Sequence, residues 1–199
     1  MRALSYILSL LLIAGISFAG VADVEAQQSY TFDKDNSKIH LYGTSNARDW
    51  DAAVKISDAE IELSDENPGD NWISKFDFNM PVAEMDSESG RLNSNMHDYL
   101  KKDDHPNIKF SLVEVTDLSE TGSGYQVTVD GNLTVAGVER TVSITGDAVV
   151  NGDGSVQIEG TFETLMTEFD IDPPTAMLGS VRARDEVEIV FDITLVPAS

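Results

Sequence analysis

"VEIVFDITL", residues 187–195, decides the fold. Val187, Ile189, Phe191, Ile193 and Leu195 fall on every second position, with Glu188, Val190, Asp192 and Thr194 between them. Successive side chains of an extended chain point to opposite faces, so this is a strand with one buried face. The same period runs through Tyr125, Val127, Val129, Gly131, Leu133 and Val135, then Val142, Ile144, Gly146, Ala148 and Val150, then Val156, Ile158, Gly160 and Phe162. Short glycine-bearing turns separate these runs: Thr121-Gly122-Ser123-Gly124, Ala136-Gly137-Val138-Glu139 and Asn151-Gly152-Asp153-Gly154-Ser155. Runs joined in this way make an antiparallel meander.

Upstream, Ile39, Leu41 and Gly43 alternate, and Trp50, Ala52, Val54 and Ile56 follow. The apolar parity then shifts to Ala59, Ile61 and Leu63, which predicts a bulge or sharp bend near Ser57-Asp58, because a one-residue slip moves the apolar side chains to the other face. Phe76, Phe78, Met80 and Val82 form a run after the turn Asn67-Pro68-Gly69-Asp70, and Ile108, Phe110 and Leu112 open another. Between them, from Ser87 to Lys101, the alternation stops. Leu92, Met96, Tyr99 and Leu100 recur there at helical spacing, with Asp86 and Glu88 at the start and Lys101-Lys102 at the end, each sign suited to the helix dipole. The expected fold is therefore all-β, an eight-stranded antiparallel barrel with one short helix between strands, since closure removes the exposed edges of so large a sheet. A two-sheet sandwich is the competing arrangement.

The chain begins "MRALSYILSLLLIAGISFAG", with Arg2 ahead of an apolar stretch from Ala3 to Ala19. This reads as a secretory signal peptide over residues 1–26, cleaved after Ala19 or Ala26, and it predicts a periplasmic or secreted protein. A membrane anchor is the alternative, but the next charges are Asp23 and Glu25 rather than a cationic flank, and no later segment is apolar for long enough to span a bilayer. Residues 29–197 then form one domain, whose core must hold without disulfides because the chain has no cysteine. Acidic residues number 35 against 13 basic ones, a net charge of −22 that repels nucleic acid and anionic membrane surfaces.

Three histidines bear on chemistry. His97 falls on the predicted helix, His105 in the turn before Pro106, and His40 on an early strand. No pair stands at i and i+4 on one helix, as a zinc site on a helix would require, and no Gly-x-Ser-x-Gly elbow occurs. No metal, cofactor or catalytic centre is expected on this basis, and a hydrolase using His97 or His105 with a neighbouring acid is a distant third reading.

The stretch Gly131-Asn132-Leu133-Thr134-Val135-Ala136-Gly137-Val138-Glu139-Arg140-Thr141-Val142 resembles the "G-x-L-T-x-x-G-V-x-x-x-V" hairpin of YceI-like proteins, the secreted, polyisoprenoid-binding, lipocalin-like family. His105-Pro106-Asn107-Ile108-Lys109-Phe110 is similar to that family's "x-P-x-I-x-F". Phe169-Asp170-Ile171-Asp172-Pro173-Pro174 through Met177-Leu178-Gly179 to Val187-Glu188-Ile189 looks like its long final loop and last strand. Two stretches depart from the pattern: "GTSNARDW", residues 43–50, stands where a hydrophobic early strand is more common, and Arg91 to Leu100 only loosely matches "R-D-x-H-L".

The resemblance implies an elongated apolar cavity for an isoprenoid or other long-chain lipid. Inward parity then makes Phe76, Phe78 and Met80 candidates to line it, with Ile108 and Phe110 on the following strand and Leu133, Ile144 and Phe162 on later ones. Leu92, Met96 and Leu100 would close it from the helix, and Phe169, Met177 and Leu178 would border it from the final loop. On this reading the chain is an exported lipid carrier or reservoir rather than an enzyme. Alternation alone fits a filled-core structural or protein-interaction barrel equally well.

The charge imbalance generates a first expectation. Repulsion among like charges is screened as the Debye length falls from about 10 Å at 0.1 M salt to about 3 Å at 1 M. The melting temperature should therefore rise across that range of sodium chloride, and a calorimetric scan showing no rise would contradict it.

Overall fold

The structure is a computed structural model that describes residues 27–64, 68 and 72–198. The segment read as a signal peptide, and the turn at 67–70 apart from Pro68, lie outside the described residues. The elements are β1 (Gln27–Phe32), β2 (Lys38–Ser45), β3 (Trp50–Val54), β4 (Asp58–Ser64), β5 (Ile73–Pro81), α1 (Gly90–Tyr99), β6 (Asn107–Glu120), β7 (Tyr125–Val135), β8 (Val138–Val150), β9 (Val156–Leu165), β10 (Thr175–Ala176) and β11 (Val181–Pro197).

β1, β4, β5, β6, β7, β8, β9 and β11 pair in that order, and β1 returns to β11 with Tyr30 opposite Pro197 and Phe32 opposite Leu195. All of these pairings are antiparallel, so the sheet closes into the expected eight-stranded barrel. β2 and β3 continue the wall at one end. β2 lies along β11 from Lys38 opposite Asp192 to Ser45 opposite Ala183, and β3 lies along β2 with Ile39 opposite Val54. Thus β1 with β2 makes one broken stave and β3 with β4 the next. The second break spans residues 55–57, where the change of parity demands it.

α1 is shorter than the spacing predicts. Glu88 has φ 58° and so cannot belong to a right-handed helix, while Ser89 is the N-cap, its hydroxyl accepting from the Leu92 amide at 3.4 Å. Lys101, at φ 53°, turns the chain away at the other end. The entrance to the helix is fastened to the wall by reciprocal backbone bonds between Ala53 and Asp86 at 2.8 and 3.0 Å. The Asp86 carboxylate accepts from the Asn93 side-chain amide at 2.9 Å and from the Glu88 amide at 3.0 Å. Asn93 Oδ1 accepts in turn from the Ser87 amide and hydroxyl. These bonds, the one from Asn93 foremost, hold the Asp86 carboxyl below its ordinary range.

α1 and the turns at 46–49 and 136–137 share one end of the barrel; the turns at 121–124 and 151–155 mark the other. Two packed clusters follow this division. At the far end Phe32, Ile61, Leu63, Trp72, Val156 and Leu195 are buried together, with Trp72 tilted against Tyr125 at 6.0 Å. At the helix end Val82, Met85, Met96, Ile108, Phe110 and Phe169 form the second cluster.

Between the clusters the wall is thinned by small residues. Gly131 pairs with Leu112 and Val142, and a Cβ at Gly131 would overlap the Phe110 ring. Phe191 lies in the same way over Gly160, its partner across the β9–β11 ladder. The rings can lie flat against the strands because nothing projects beneath them. Gly131→Ala should therefore cost about 1 to 3 kcal/mol of stability through overpacking. Combining it with Phe110→Leu should cost less than the sum of the two single changes, as a double-mutant cycle of chemical denaturation would measure.

Candidate functional site

The space left between the two clusters is a cavity of about 590 Å³, within the range of small-molecule pockets. Phe76, Phe78, Val129, Ile144, Phe162 and Phe191 line its middle. They are half-buried although their side chains point inward, whereas Leu195 and Ile61 in the far cluster are 0% and 1% exposed. A filled core would bury both sets alike. The difference arises because the middle residues have empty space on one side, so the inward alternation here encloses a cavity rather than a solid core.

The aromatic side chains that shape it are mutually fixed. Phe78 stacks on Phe110 at 5.2 Å with 15° between the planes, and Phe76 meets Phe78 edge-on at 5.9 Å. Phe32 meets Phe76 edge-on at 6.1 Å from the far side. Such offset and edge contacts are the favoured geometries of aromatic pairs and resist collapse of the rings into the void.

Of the residues expected at the cavity, Phe76, Phe78, Met80, Ile108, Phe110, Leu133, Ile144, Phe162 and Phe169 border it. Leu92, Met96 and Tyr99 border it from α1, together with Leu100, which caps the helix. Leu178 does not. It has φ 56° on the irregular segment before β11 and is fully exposed, so its side chain points to solvent rather than into the barrel. Met177 precedes it in a short 3-10 turn, and its side chain lies outside the described set.

Several lining residues were not singled out from the sequence. Leu41, Val54, Ile189 and Phe191 carry the inward parity already visible on their strands. Arg48 in the β2–β3 turn and Arg91 in the first turn of α1 carry no such signal.

None of the three histidines lines the cavity. His40 stacks on Tyr42 at 5.9 Å on the other strand face, and the His105 ring lies where a Cβ of Gly137 would project. His97 sits on α1 with its Nε2 buried and unpartnered among the described residues. His40 and His105 thus have packing contacts away from the cavity lining. Among the described residues, no group of three or more histidine and acidic side chains is arranged to hold a metal ion.

A closed antiparallel barrel, packed at one end, capped by a helix at the other and hollow between, is a lipocalin-like barrel. The chain belongs to the YceI-like family, whose domain matches residues 30–195. Its fold is similar to that of BcnA from Burkholderia cenocepacia, at 19% identity and a TM-score of 0.65, covering 82% of this chain and 99% of that one. It is also similar to a polyisoprenoid binding domain from Saccharophagus degradans, at 9% identity and a TM-score of 0.64, covering 86% and 99%. A YceI protein of Campylobacter jejuni matches at 12% identity and a TM-score of 0.55, covering 100% and 94%. No curated protein matches the chain significantly.

The two environments should respond differently to truncation. Leu195→Ala, deep in the far cluster, should cost about 2 to 5 kcal/mol. Met96→Ala should cost less than about 2 kcal/mol, because that side chain borders space that already exists. Equal losses in denaturant melts of the two variants would indicate that the helix end is as solid as the far end.

Proposed function

We propose that this protein is an exported lipid carrier or reservoir that holds an isoprenoid-type or other long-chain lipid in the barrel cavity. The observation that carries the reading is the apolar cavity between two packed clusters, lined along its middle by aliphatic and aromatic side chains. Membership of the YceI-like family supports it, as does the likeness to a domain described as polyisoprenoid-binding. Export rests on the apolar N-terminal stretch and the small residues that follow it.

Energetics favour a carrier over a trap. Taking roughly 30 Å³ for a water-sized group, the cavity holds on the order of twenty carbon atoms. Moving these from water gains on the order of 16 kcal/mol at about 0.8 per carbon, close to the practical ceiling of about 18 to 21 for noncovalent affinity. A lipid, however, leaves a bilayer and not water. The bilayer is as apolar as the cavity, so the net transfer lies near balance and lipid can be both taken up and given back.

Mass spectrometry of an organic extract of the natively purified protein should reveal a retained long-chain lipid. Val129→Phe, which adds volume where the wall borders empty space, should cost under about 1 kcal/mol and lower the retained lipid several-fold. Protein that carries no lipid in either form, and binds none when offered it in detergent, would contradict the proposal.

A further inference from the structure

Sulfur is distributed unevenly along this barrel. The chain has six methionines and no cysteine, so thioethers are its whole sulfur chemistry. Met80 on β5, Met85 after the turn at 82–84, Met96 on α1 and Met166 just after β9 come from four separate segments. All four nevertheless belong to the cluster at the helix end, and each borders the cavity. Among the described residues the far cluster contains no methionine. Packing alone does not call for sulfur here, since Leu92, Leu100 and Leu133 serve the same cluster. A thioether adds what leucine lacks, a sulfur lone pair that a hydroperoxide can oxidise.

Burial sets an order among the four. Met85 and Met96 are 3% and 8% exposed, whereas Met80 and Met166 are half-buried. Both of the latter stand on held backbone: Met80 lies opposite Ile108 in the β5–β6 ladder, and the Met166 carbonyl accepts from the Ile171 amide at 3.2 Å. A small oxidant entering the cavity reaches these two first, and a lipid chain in the same space covers them. In the reaction the sulfur lone pair attacks one oxygen of hydrogen peroxide, so that an S–O bond forms as the O–O bond breaks. The proton of the transferred oxygen passes to the departing one, which leaves as water; sulfur gives up two electrons and the peroxide takes them. The product sulfoxide is polar and a hydrogen-bond acceptor. The side chains packed with these methionines, Ile108, Phe110, Leu133 and Phe169 among them, are hydrocarbon and offer the new oxygen no donor. An acceptor left there without a partner is unfavourable, and it draws water into a wall that otherwise suits an alkyl chain.

Resting on the lipid-carrier reading, we infer that Met80 and Met166, with the more buried Met85 and Met96, form an oxidation site for hydroperoxides that bound lipid shields and whose conversion to sulfoxide lowers lipid binding. Occupancy and oxidation then exclude each other. A loaded barrel resists peroxide, an unloaded one loses its affinity for lipid, and enzymatic reduction of the sulfoxides restores uptake.

The test uses the natively purified protein, stripped of lipid by detergent exchange and divided into a lipid-free sample and one reloaded with geranylgeraniol. Both are treated with dilute hydrogen peroxide, with free methionine as internal standard, and oxidation is mapped by peptide mass spectrometry. Met80 and Met166 should oxidise ahead of Met85 and Met96 in the lipid-free sample, and about tenfold more slowly when loaded. The oxidised protein should bind geranylgeraniol about tenfold more weakly, and methionine sulfoxide reductases of both stereospecificities should restore binding. A variant with Met80→Leu and Met166→Leu, which conserves volume and removes the two sulfurs, should keep most of its own untreated lipid binding after the same exposure. Equal oxidation of the free and loaded samples, or undiminished lipid binding after Met80 and Met166 are oxidised, would overturn the oxidation site and leave the lipid reading standing. Losses that the reductases do not reverse, or that the leucine variant shares in full, would do the same. Protein that takes up no lipid before any peroxide is added would overturn the lipid reading and this inference with it.

Discussion

The constraint on which everything else depends is the pairing of both edges of β11. One edge lies along β9 from Glu186 to Leu195, and the other along β2 and then β1, as far as Pro197. A strand bonded on one side would leave an open sheet, and an open sheet with an apolar face has to bury that face against a second layer. With the ring closed, the hydrogen bonds of the wall fix the distance across it. The interior can stay partly empty because side-chain contact is not what keeps the walls apart. The sandwich alternative fails at this strand, since β11 joins the first staves to the last in one continuous ladder.

Much of this was legible in the sequence because parity is a local property. Val187 to Leu195 and the runs from Tyr125 to Phe162 declare their inward faces residue by residue, and the shift between Ile56 and Ala59 declares the break in the β3–β4 stave. Whether the interior is hollow was not legible, because an inward Phe reads the same beside a void as in a packed core. What separates the two cases is a match between distant positions, such as the ring of Phe110 over Gly131 and that of Phe191 over Gly160. The ends of α1 were missed because Glu88 and Lys101 adopt left-handed backbone that composition does not reveal. Leu178 was misplaced for a related reason. The segment before β11 has no period, so an apolar residue there carries no information about direction.

The acidic residues are organised by turns more than by ion pairs. Among the described residues, cations meet acids at Lys75 with Glu60 and at Arg140 with Asp170. Elsewhere the carboxylates serve the backbone: Asp33 accepts from Asn36, and Asp153 from the amide and hydroxyl of Ser155. Those bonds lower the pKa of both groups, led in each case by the side-chain donor. A lowered carboxylate contributes stability that is present above its ordinary range and lost as pH falls through the lowered value. Acidification therefore removes that contribution at both turns.

The far cluster has a geometric consequence of its own. Among the described residues, Phe32, Ile61, Trp72 and Leu195 pack together at that end and fill the barrel there with side chains. A filled end and a hollow middle thus divide the wall into two tasks: the far cluster carries the packing contacts, and the middle of the ladder is left free to enclose space.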